Sequence, residues 1–163
     1  IVAGPQVFQG YWRQPEATAA AFILCDGKRF LRSGDLGYID EDGYYVLVDR
    51  LKRMINASGF KIWPAEIEAL LHAHPAVALA CVVAIPDARR GETAKAIIVR
   101  KLGAEAGAGD IKTWLGGRLA AYKVPTHYAF VDELPRLASG KVDWRRVQDA
   151  ERHAAAEVKG QTT

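Results

Sequence analysis

Two neighbouring apolar runs constrain the fold more than any other feature of the sequence. They are AVALACVVAI at residues 76–85 and TAKAIIVRK at residues 93–101, and both are rich in small apolar and β-branched residues. Strands that are buried on both faces have such continuous apolar sequences, because none of their residues faces water. The loop between them, PDARRGE, is short enough to join antiparallel neighbours. The runs therefore predict two adjacent antiparallel strands in the core of a small sheet.

Helical patterns lie on either side of these strands. In PAEIEALLHAH, Pro64 stands at a first helical position, where proline is tolerated, and the apolar residues recur at helical spacing. A second helix is expected after the linker GAEAGAGD, with Asp110 as its N-cap and with Ile111, Leu115 and Leu119 on its apolar face.

The last part of the chain completes the predicted domain. THYAFVDEL (126–134) predicts a third strand, and VDWRRVQDAERHAAAEV predicts a final helix that frays into KGQTT. From about residue 51 onward the chain is therefore expected to be an α+β domain, with a mainly antiparallel or mixed three-stranded sheet flanked by helices.

Residues 1–50 show a different pattern. FLRSGDLGYIDEDGYYVLVD contains two short β-rich runs, and the Asp-Gly pair at 42–43 between them predicts a hairpin, because glycine accepts the positive φ of a tight turn. The following RLKRMINASGFKI is basic and predicts a connector with a turn at 58–59. The first residues, IVAGPQVFQGYW, lack an initiator Met and open neither a helix nor a strand. The chain is therefore expected to be a fragment of a larger protein.

Composition and charge exclude several classes of protein. Hydrophobic residues make up 50% of the chain and charged residues 25%, as in soluble globular domains. Apolar runs are all shorter than the roughly 20 residues of a membrane-spanning helix, so we expect no transmembrane segment and a cytoplasmic location. The net charge of +3 divides into −2 over residues 1–50 and +5 over residues 51–163. The basic part has no arginine-rich run and no aromatic-basic motif, so nucleic acid is not an expected partner.

Cysteine and histidine show no metal-ligand spacing. Cys25 and Cys81 lie in apolar surroundings without a CxxC pattern, so both are expected to be buried as small hydrophobic residues. The four histidines are expected in core, capping or surface roles. We therefore expect no metal site.

Four stretches combine glycine with polar or charged residues at the ends of elements, where functional groups are often found. They are RSGDLG (32–37), DRLKRMINASGFKI (49–62), AYKVP (121–125) and LPRLASGK (134–141). Each stretch alone has an ordinary structural interpretation: Asp35 can cap a turn, Arg50 and Lys52 can be solvated, and Lys141 can interact with the helix that follows. Their joint order and spacing are harder to explain in that way.

Together the stretches closely resemble the C-terminal part of the adenylate-forming enzymes, a family of acyl-CoA synthetases, adenylation domains of nonribosomal peptide synthetases, and luciferases. The resemblance runs from GPQVFQGYWRQPEAT through SGDLGYIDEDGYYVLVDRLKRMINASGFKIWPAEIE to YKVPTHYAFVDELPRLASGKVDW. The spacing and the lysine at position 52 are most like fatty or aryl acyl-CoA synthetases. The resemblance implies that residues 1–50 are the β-rich end of a large N-terminal domain. It also implies that residues 51–163 are the mobile C-terminal domain, with a hinge near Lys52.

The resemblance assigns the first half-reaction to three residues. Asp35 would accept hydrogen bonds from the ribose hydroxyls of ATP, and Arg50 would lie near the ribose and the phosphates. Lys141 would reach the α-phosphate and the substrate carboxylate while the acyl-adenylate forms.

A second orientation of the domain would serve the second half-reaction. Rotation about Lys52 would move the Lys141 loop away from the nucleotide and bring ASGFKI towards it. Ser58, Gly59 and Phe60 would then line the channel for the thiol of CoA, where glycine leaves room for a thin pantetheine arm.

The implied activity is the ATP-dependent ligation of a carboxylic acid, most like a fatty acid, to CoA. ATP would bring Mg²⁺, CoA would be the co-substrate, and the missing large N-terminal domain would be the chain's partner, without which the fragment is expected to be inactive. Pro135, Gly140 and Lys141 also fit a P-x4-G-K pattern that resembles the acetylation site of acyl-CoA synthetases, so a lysine acetyltransferase is a further expected partner. The alternatives are an adenylation domain of a nonribosomal peptide synthetase and a stand-alone, non-catalytic interaction module.

Overall fold

The computed structural model describes residues 1–160, with side chains up to residue 155. Its chain divides between Lys52 and Arg53 into two units, each with its own internal contacts. The first unit contains these elements: α1 (Pro15–Ala21), β1 (Phe22–Cys25), β2 (Lys28–Leu31), β3 (Asp35–Ile39) and β4 (Tyr45–Arg50). The second unit contains these: β5 (Ile55–Ala57), β6 (Phe60–Ile62), α2 (Pro64–His72), β7 (Val77–Asp87), β8 (Gly91–Arg100), α3 (Ala108–Gly116), β9 (His127–Phe130) and α4 (Trp144–Gly160).

The first unit consists of two antiparallel hairpins. β3 pairs with β4 in the register Asp35 to Arg50 and Ile39 to Tyr45, and Gly43 has a φ of 86° in the turn. This confirms the hairpin expected from the Asp-Gly pair. β1 pairs with β2 across a turn at Asp26, an element that the sequence analysis did not identify.

The first unit has little core of its own. Within residues 1–52 no residue is buried, and several large apolar side chains on its strands are mostly in water. The exposed fractions are 74% for Leu24, 81% for Tyr45 and 75% for Leu47. Tyr45 and Leu47 alternate along β4 and so share one face, and an exposed apolar face of this kind normally marks a surface that another part of a protein covers.

The second unit is an α+β domain, as expected, but its sheet has five strands rather than three. The strand order is β6-β5-β8-β7, and β9 pairs in parallel with β8 over Lys95–Ile98. The expected antiparallel pairing of the two apolar runs is confirmed, from Val77 opposite Arg100 to Asp87 opposite Gly91. The two extra strands come from RLKRMINASGFKI, which forms the β5–β6 hairpin and joins the sheet through Ala57 opposite Gly91.

Both faces of the sheet are covered by helices, which explains the continuous apolar runs of β7 and β8. On one face Ala96 and Ile98 pack with α2 and α3, whose buried residues include Leu71 and Leu115. On the other face Ile97 packs in a cluster with Val147 of α4. Alternate residues of β8 therefore enter two different hydrophobic clusters.

Side chains block the free edge of β7. Three alternate backbone amides along this edge each donate a hydrogen bond to a side chain of a helix: Ala80 to His72 at 3.3 Å, Val82 to Glu68 at 2.8 Å, and Ala84 to Gln148 at 3.0 Å. An edge strand otherwise presents unpaired amides that invite another strand. These side chains satisfy the edge and tie α2 and α4 to the sheet.

Two expectations for α3 need correction. The helix begins at Ala108 with Gly107 as its N-cap, and Asp110 is its third residue, where the carboxylate accepts the Gly107 N–H at 2.9 Å. An aspartate is favoured both at the N-cap and at the third helical position, where it bonds back to the N-cap N–H, so the predicted helix start was displaced by three residues. Leu119 lies beyond the end of α3, although it still packs against the core.

The two cysteines have different environments. Cys25 is exposed at the end of β1, so the expectation that it is buried was wrong. Cys81 is buried on β7, and burial raises the pKa of its thiol to about 12. In the described part of the chain, no group of three or more His, Cys, Asp and Glu side chains could hold a metal ion.

The fold ends with the C-terminal helix α4, and none of its helices is a candidate membrane span among the described residues. α4 continues to Gly160, so the predicted frayed end in KGQTT lies partly outside the described residues. Over residues 1–160, none of the helices has the length and apolar character needed to cross a bilayer.

Candidate functional site

Lys141 lies on a closed loop just before α4. Arg136 and Val142 form an antiparallel bridge at the base of this loop, and the Leu137 N–H donates to the Lys141 carbonyl at 2.8 Å. Gly140 has a φ of 81°, and its carbonyl accepts a hydrogen bond from the Arg136 guanidinium at 2.8 Å. The loop backbone is therefore held by its own hydrogen bonds.

The Lys141 ammonium itself is available. The residue is exposed, and its side chain makes no hydrogen bond or ion pair within the described residues. The combination of a fixed backbone with an unpaired ammonium differs from that of an ordinary surface lysine on a regular element. It can present a positive charge at a defined place without first breaking an ion pair.

Asp35 and Arg50 are brought together by the β3–β4 hairpin. They are cross-strand partners, and the Arg50 Nε lies 2.9 Å from Asp35 Oδ1. Their side chains are 29% and 55% exposed, respectively, so solvent screens the pair and it contributes little to stability. Exchange of this contact for hydrogen bonds to a ligand would therefore cost little.

Ser58 and Gly59 form the two-residue turn between β5 and β6. Their φ angles are 53° and 86°, and positive φ at both central residues is what the tight hairpin turns matched to strand twist require. The Gly59 N–H donates to Asn56 Oδ1 at 3.0 Å, and the Ser58 N–H donates to the Arg90 carbonyl at 2.9 Å. The turn is therefore fixed against the β7–β8 loop.

A second reason for glycine at position 59 comes from this geometry. A Cβ at Gly59 would meet no atom within 4 Å, so the position faces open space, but the positive φ strains any other residue. The family resemblance implies only the open channel as a reason for glycine at position 59. The structure adds the requirement of the turn.

Phe60 forms a ring stack that the sequence analysis missed. The residue is 54% exposed, and its ring lies 4.8 Å from that of Tyr122 at an interplanar angle of 28°. Tyr122 belongs to AYKVP, one of the four stretches, so the structure brings two of these stretches together. The sequence signal for Tyr122 was the AYKVP stretch itself, in which no residue had been given a role.

Lys52 lies in a 3₁₀ turn, Leu51–Arg53, at the division between the units. It is exposed, and in the part of the chain that the structure describes its ammonium has no hydrogen-bond or ion-pair partner. The geometry places Lys52 at the boundary, and its role as a hinge remains an expectation.

The chain is similar to several known ligases over most of its length. It is 46% identical over 151 residues to a long-chain-fatty-acid–CoA ligase of Bacillus subtilis, covering 93% of this chain and 26% of that protein. It is 45% identical over 142 residues to a feruloyl-CoA synthase of an Amycolatopsis species, covering 87% of this chain and 28% of that protein. A crystal structure of ATP-bound MatB from Rhodopseudomonas palustris superposes with a TM-score of 0.85 at 37% identity, covering 94% of this chain and 30% of MatB.

These matches and a family match agree on one part of a larger architecture. The chain spans only about a quarter to a third of the length of the proteins it resembles. Residues 66–141, which end at Lys141, match the AMP-binding enzyme C-terminal domain. The chain therefore belongs, through its second unit, to the C-terminal domain family of the AMP-binding, adenylate-forming enzymes.

Proposed function

We propose that the protein containing this chain is an AMP-forming acid–thiol ligase. In the first half-reaction a carboxylate oxygen attacks the α-phosphorus of ATP, which gives an acyl-adenylate and releases pyrophosphate. In the second, the thiol of CoA attacks the acyl carbon, which gives an acyl-CoA and releases AMP and a proton. The observation that carries this proposal is Lys141, which has no side-chain partner among the described residues and lies on a loop closed by its own hydrogen bonds at the end of the matched domain.

Three residues serve the first half-reaction in this proposal. The Lys141 ammonium neutralises charge on the reacting carboxylate and α-phosphate oxygens, which stabilises the transition state. Asp35 has two acceptor oxygens for the two ribose hydroxyls, and Arg50, held beside it at 2.9 Å, donates towards the phosphates. Mg²⁺ prefers phosphate oxygens and water, and we expect it to arrive with the triphosphate.

The β5–β6 turn serves the second half-reaction. Gly59 faces open space, and Phe60 and Tyr122 form a flat aromatic wall beside it. A pantetheine arm is thin and has short methylene segments between its amide groups, so such a wall suits its passage. The change between half-reactions is a rotation of the second unit about Lys52, with the large N-terminal domain of the same protein as its partner.

Fatty acids are the substrate class that we propose, with aryl acids as the second candidate. The similarity to a ligase named for long-chain fatty acids supports the first class, and the similarity to a feruloyl-CoA synthase supports the second. A role in fatty acid metabolism and a cytoplasmic location, where ATP and CoA are abundant, are part of the same proposal.

The experiment that tests this function measures acid-dependent exchange of pyrophosphate into ATP by the full-length protein. We expect exchange with long-chain fatty or aryl acids, and thioester formation when CoA is added. Exchange with amino acids and no use of CoA would instead identify a peptide-synthetase adenylation domain. No exchange with any acid would favour a non-catalytic module. The 163-residue chain alone is the matched control and should show no exchange, because it spans only about a quarter of the length of the ligases it resembles.

Acetylation of Lys141 is a further part of the proposal. The residue is exposed and unpaired among the described residues, and it follows Gly140 in the P-x4-G-K pattern. Acetylation removes the positive charge, so a lysine acetyltransferase would switch off adenylation. Mass spectrometry after incubation with a lysine acetyltransferase and acetyl-CoA should find acetyl-Lys141 together with a matching loss of pyrophosphate exchange. Activity that survives full acetylation would contradict this regulation.

A further inference from the structure

We infer that Arg53 and Glu68 are positioning residues that fix the first residue of the second unit to its sheet and so confine rotation to Lys52. This inference rests on the proposed function, in which the second unit rotates between the half-reactions. It concerns the ion pair between Arg53, which lies in one of the four stretches, and Glu68, which lies in none of them.

The contacts of this pair join three elements. The Arg53 Nη2 lies 2.5 Å from Glu68 Oε1 on α2, and the same oxygen accepts the Val82 N–H of β7 at 2.8 Å. Arg53 also donates to the Val82 carbonyl at 3.4 Å, and its guanidinium lies 5.5 Å from the ring of Trp144, the first residue of α4. One side chain next to the unit boundary therefore contacts a helix, the edge of the sheet and a second helix.

Burial makes this pair different from a surface ion pair. The side chains of Arg53 and Glu68 are only 12% and 16% exposed, so water competes little for their hydrogen bonds. A buried pair of this kind gives little net stability compared with apolar residues of the same shape, but loss of one partner is costly. What the guanidinium adds is direction, because Nη2 of this rigid planar group donates to both Glu68 and the Val82 carbonyl.

The side-chain contacts that hold the chain to the second unit therefore begin abruptly at residue 53. Lys52 is exposed and, within the described residues, its side chain has no polar partner, whereas Arg53 is held from several sides and Ile55 is fully buried. With Arg53 fixed, rotation about the φ and ψ of Lys52 moves the second unit as one body. Without it, residues 53–54 join a longer flexible connection, and each reactive orientation becomes a smaller fraction of the ensemble.

A second ion pair provides the matched control. Lys95 of β8 and Glu151 of α4 lie 2.6 Å apart, with side chains 22% and 19% exposed. This pair also ties a helix to the same sheet, but neither residue adjoins the unit boundary. Replacement of Glu151 should therefore lower stability without an effect on the hinge.

The experiment compares Arg53→Met, Arg53→Lys, Glu68→Gln and Glu151→Gln in the full-length protein. Each half-reaction is measured separately, together with thermal unfolding. Inter-unit distances are measured between probes on Cys25, which is exposed, and on an introduced Lys112→Cys. The glutamine at position 68 keeps an acceptor for the Val82 N–H and removes only the charge, so it is informative even if Arg53→Met folds poorly.

We expect Arg53→Met to broaden the distance distribution and to lower kcat of both half-reactions about tenfold, with KM values nearly unchanged, because misplacement of reacting groups acts on kcat. Arg53→Lys should recover part of this loss and Glu68→Gln should show part of it, while Glu151→Gln should lower only the unfolding temperature. If Arg53→Met and Glu151→Gln have the same effects, the pair is merely structural and the inference is wrong. If the wild-type protein shows no exchange at all, the proposed function fails, and the distance distributions still decide whether Arg53 fixes the hinge.

Discussion

Replacement of Lys141 by Ala in the full-length protein should lower adenylate formation by about 10²–10³-fold, the usual effect of loss of one preorganised donor to a developing charge. Thioester formation from preformed acyl-adenylate and CoA should stay within about twofold, because in the proposed second orientation the Lys141 loop is away from the nucleotide. The substitution should not disturb the fold, since the side chain is exposed and, within the described residues, unpaired. Pyrophosphate exchange and single-turnover thioester formation measure the two steps.

Two variants on the same loop are the controls. Ser139→Ala leaves the loop and its charge intact and should behave as wild type. Lys141→Arg keeps the charge but replaces a compact ammonium by a wider planar group, and should recover only part of the adenylation rate. Equal losses in both half-reactions for Lys141→Ala would show that the lysine supports the loop or the fold. Full retention of adenylation would make it an ordinary surface charge.

A loop suits this lysine better than a helix does. On a helix, the position of a side chain follows the whole element, whereas the Arg136–Val142 loop closes on its own hydrogen bonds and its residues 136–141 are exposed. The base of the loop is tied by the Asp143 N–H, which donates to the Pro135 carbonyl at 2.8 Å, and α4 beyond it is tied to β7, because Gln148 both donates to and accepts from the backbone of Ala84. The rotation that we propose for the second unit would therefore carry Lys141 to and from the reaction centre without unfolding the loop.

Local sequence patterns predicted the parts of the fold that depend on local physics. The long apolar strands, α2 and the Asp-Gly hairpin each follow from burial, periodicity or turn chemistry within a few residues. The three-residue strands β5 and β6 do not, because their place in the sheet depends on Ala57 opposite Gly91, more than 30 residues away. The predicted sheet of three strands therefore lacked β5 and β6.

The same distinction applies to the candidate site. The motifs supplied residues such as Asp35 and Lys141, but other contacts around the candidate site join residues that are distant in sequence. The Phe60–Tyr122 stack joins two stretches that are distant in sequence, and Arg53 reaches Glu68 across 15 residues. No spacing rule connects such pairs, since only the packed sheet and helices bring them together.

Replacement of Gly59 by Leu should impair thioester formation and spare adenylate formation, which is the reverse of the result expected for Lys141→Ala. We expect thioester formation to fall by about 10²-fold or more, because a side chain now projects into the proposed path of the thiol and displaces it from the acyl carbon. Adenylate formation should change by less than about threefold, since the turn is remote from the nucleotide in the proposed first orientation. The two half-reactions of the full-length protein, measured separately, provide the readout.

The effect of backbone strain must be separated from the effect of a side chain that blocks the path of the thiol, because Gly59 has a φ of 86°. A left-handed backbone costs any other residue about 1–2 kcal/mol. Gly59→Ala carries this strain with little bulk and should lower thioester formation far less than Gly59→Leu. Gly103→Leu places the same side chain at another open glycine with a φ of 76°, and should lower stability while both half-reactions persist.

If leucine at position 59 is no worse than alanine, no substrate passes the turn, and the glycine there serves only the hairpin. A loss confined to the thioester step, and found only with leucine, would place the CoA path at the β5–β6 turn.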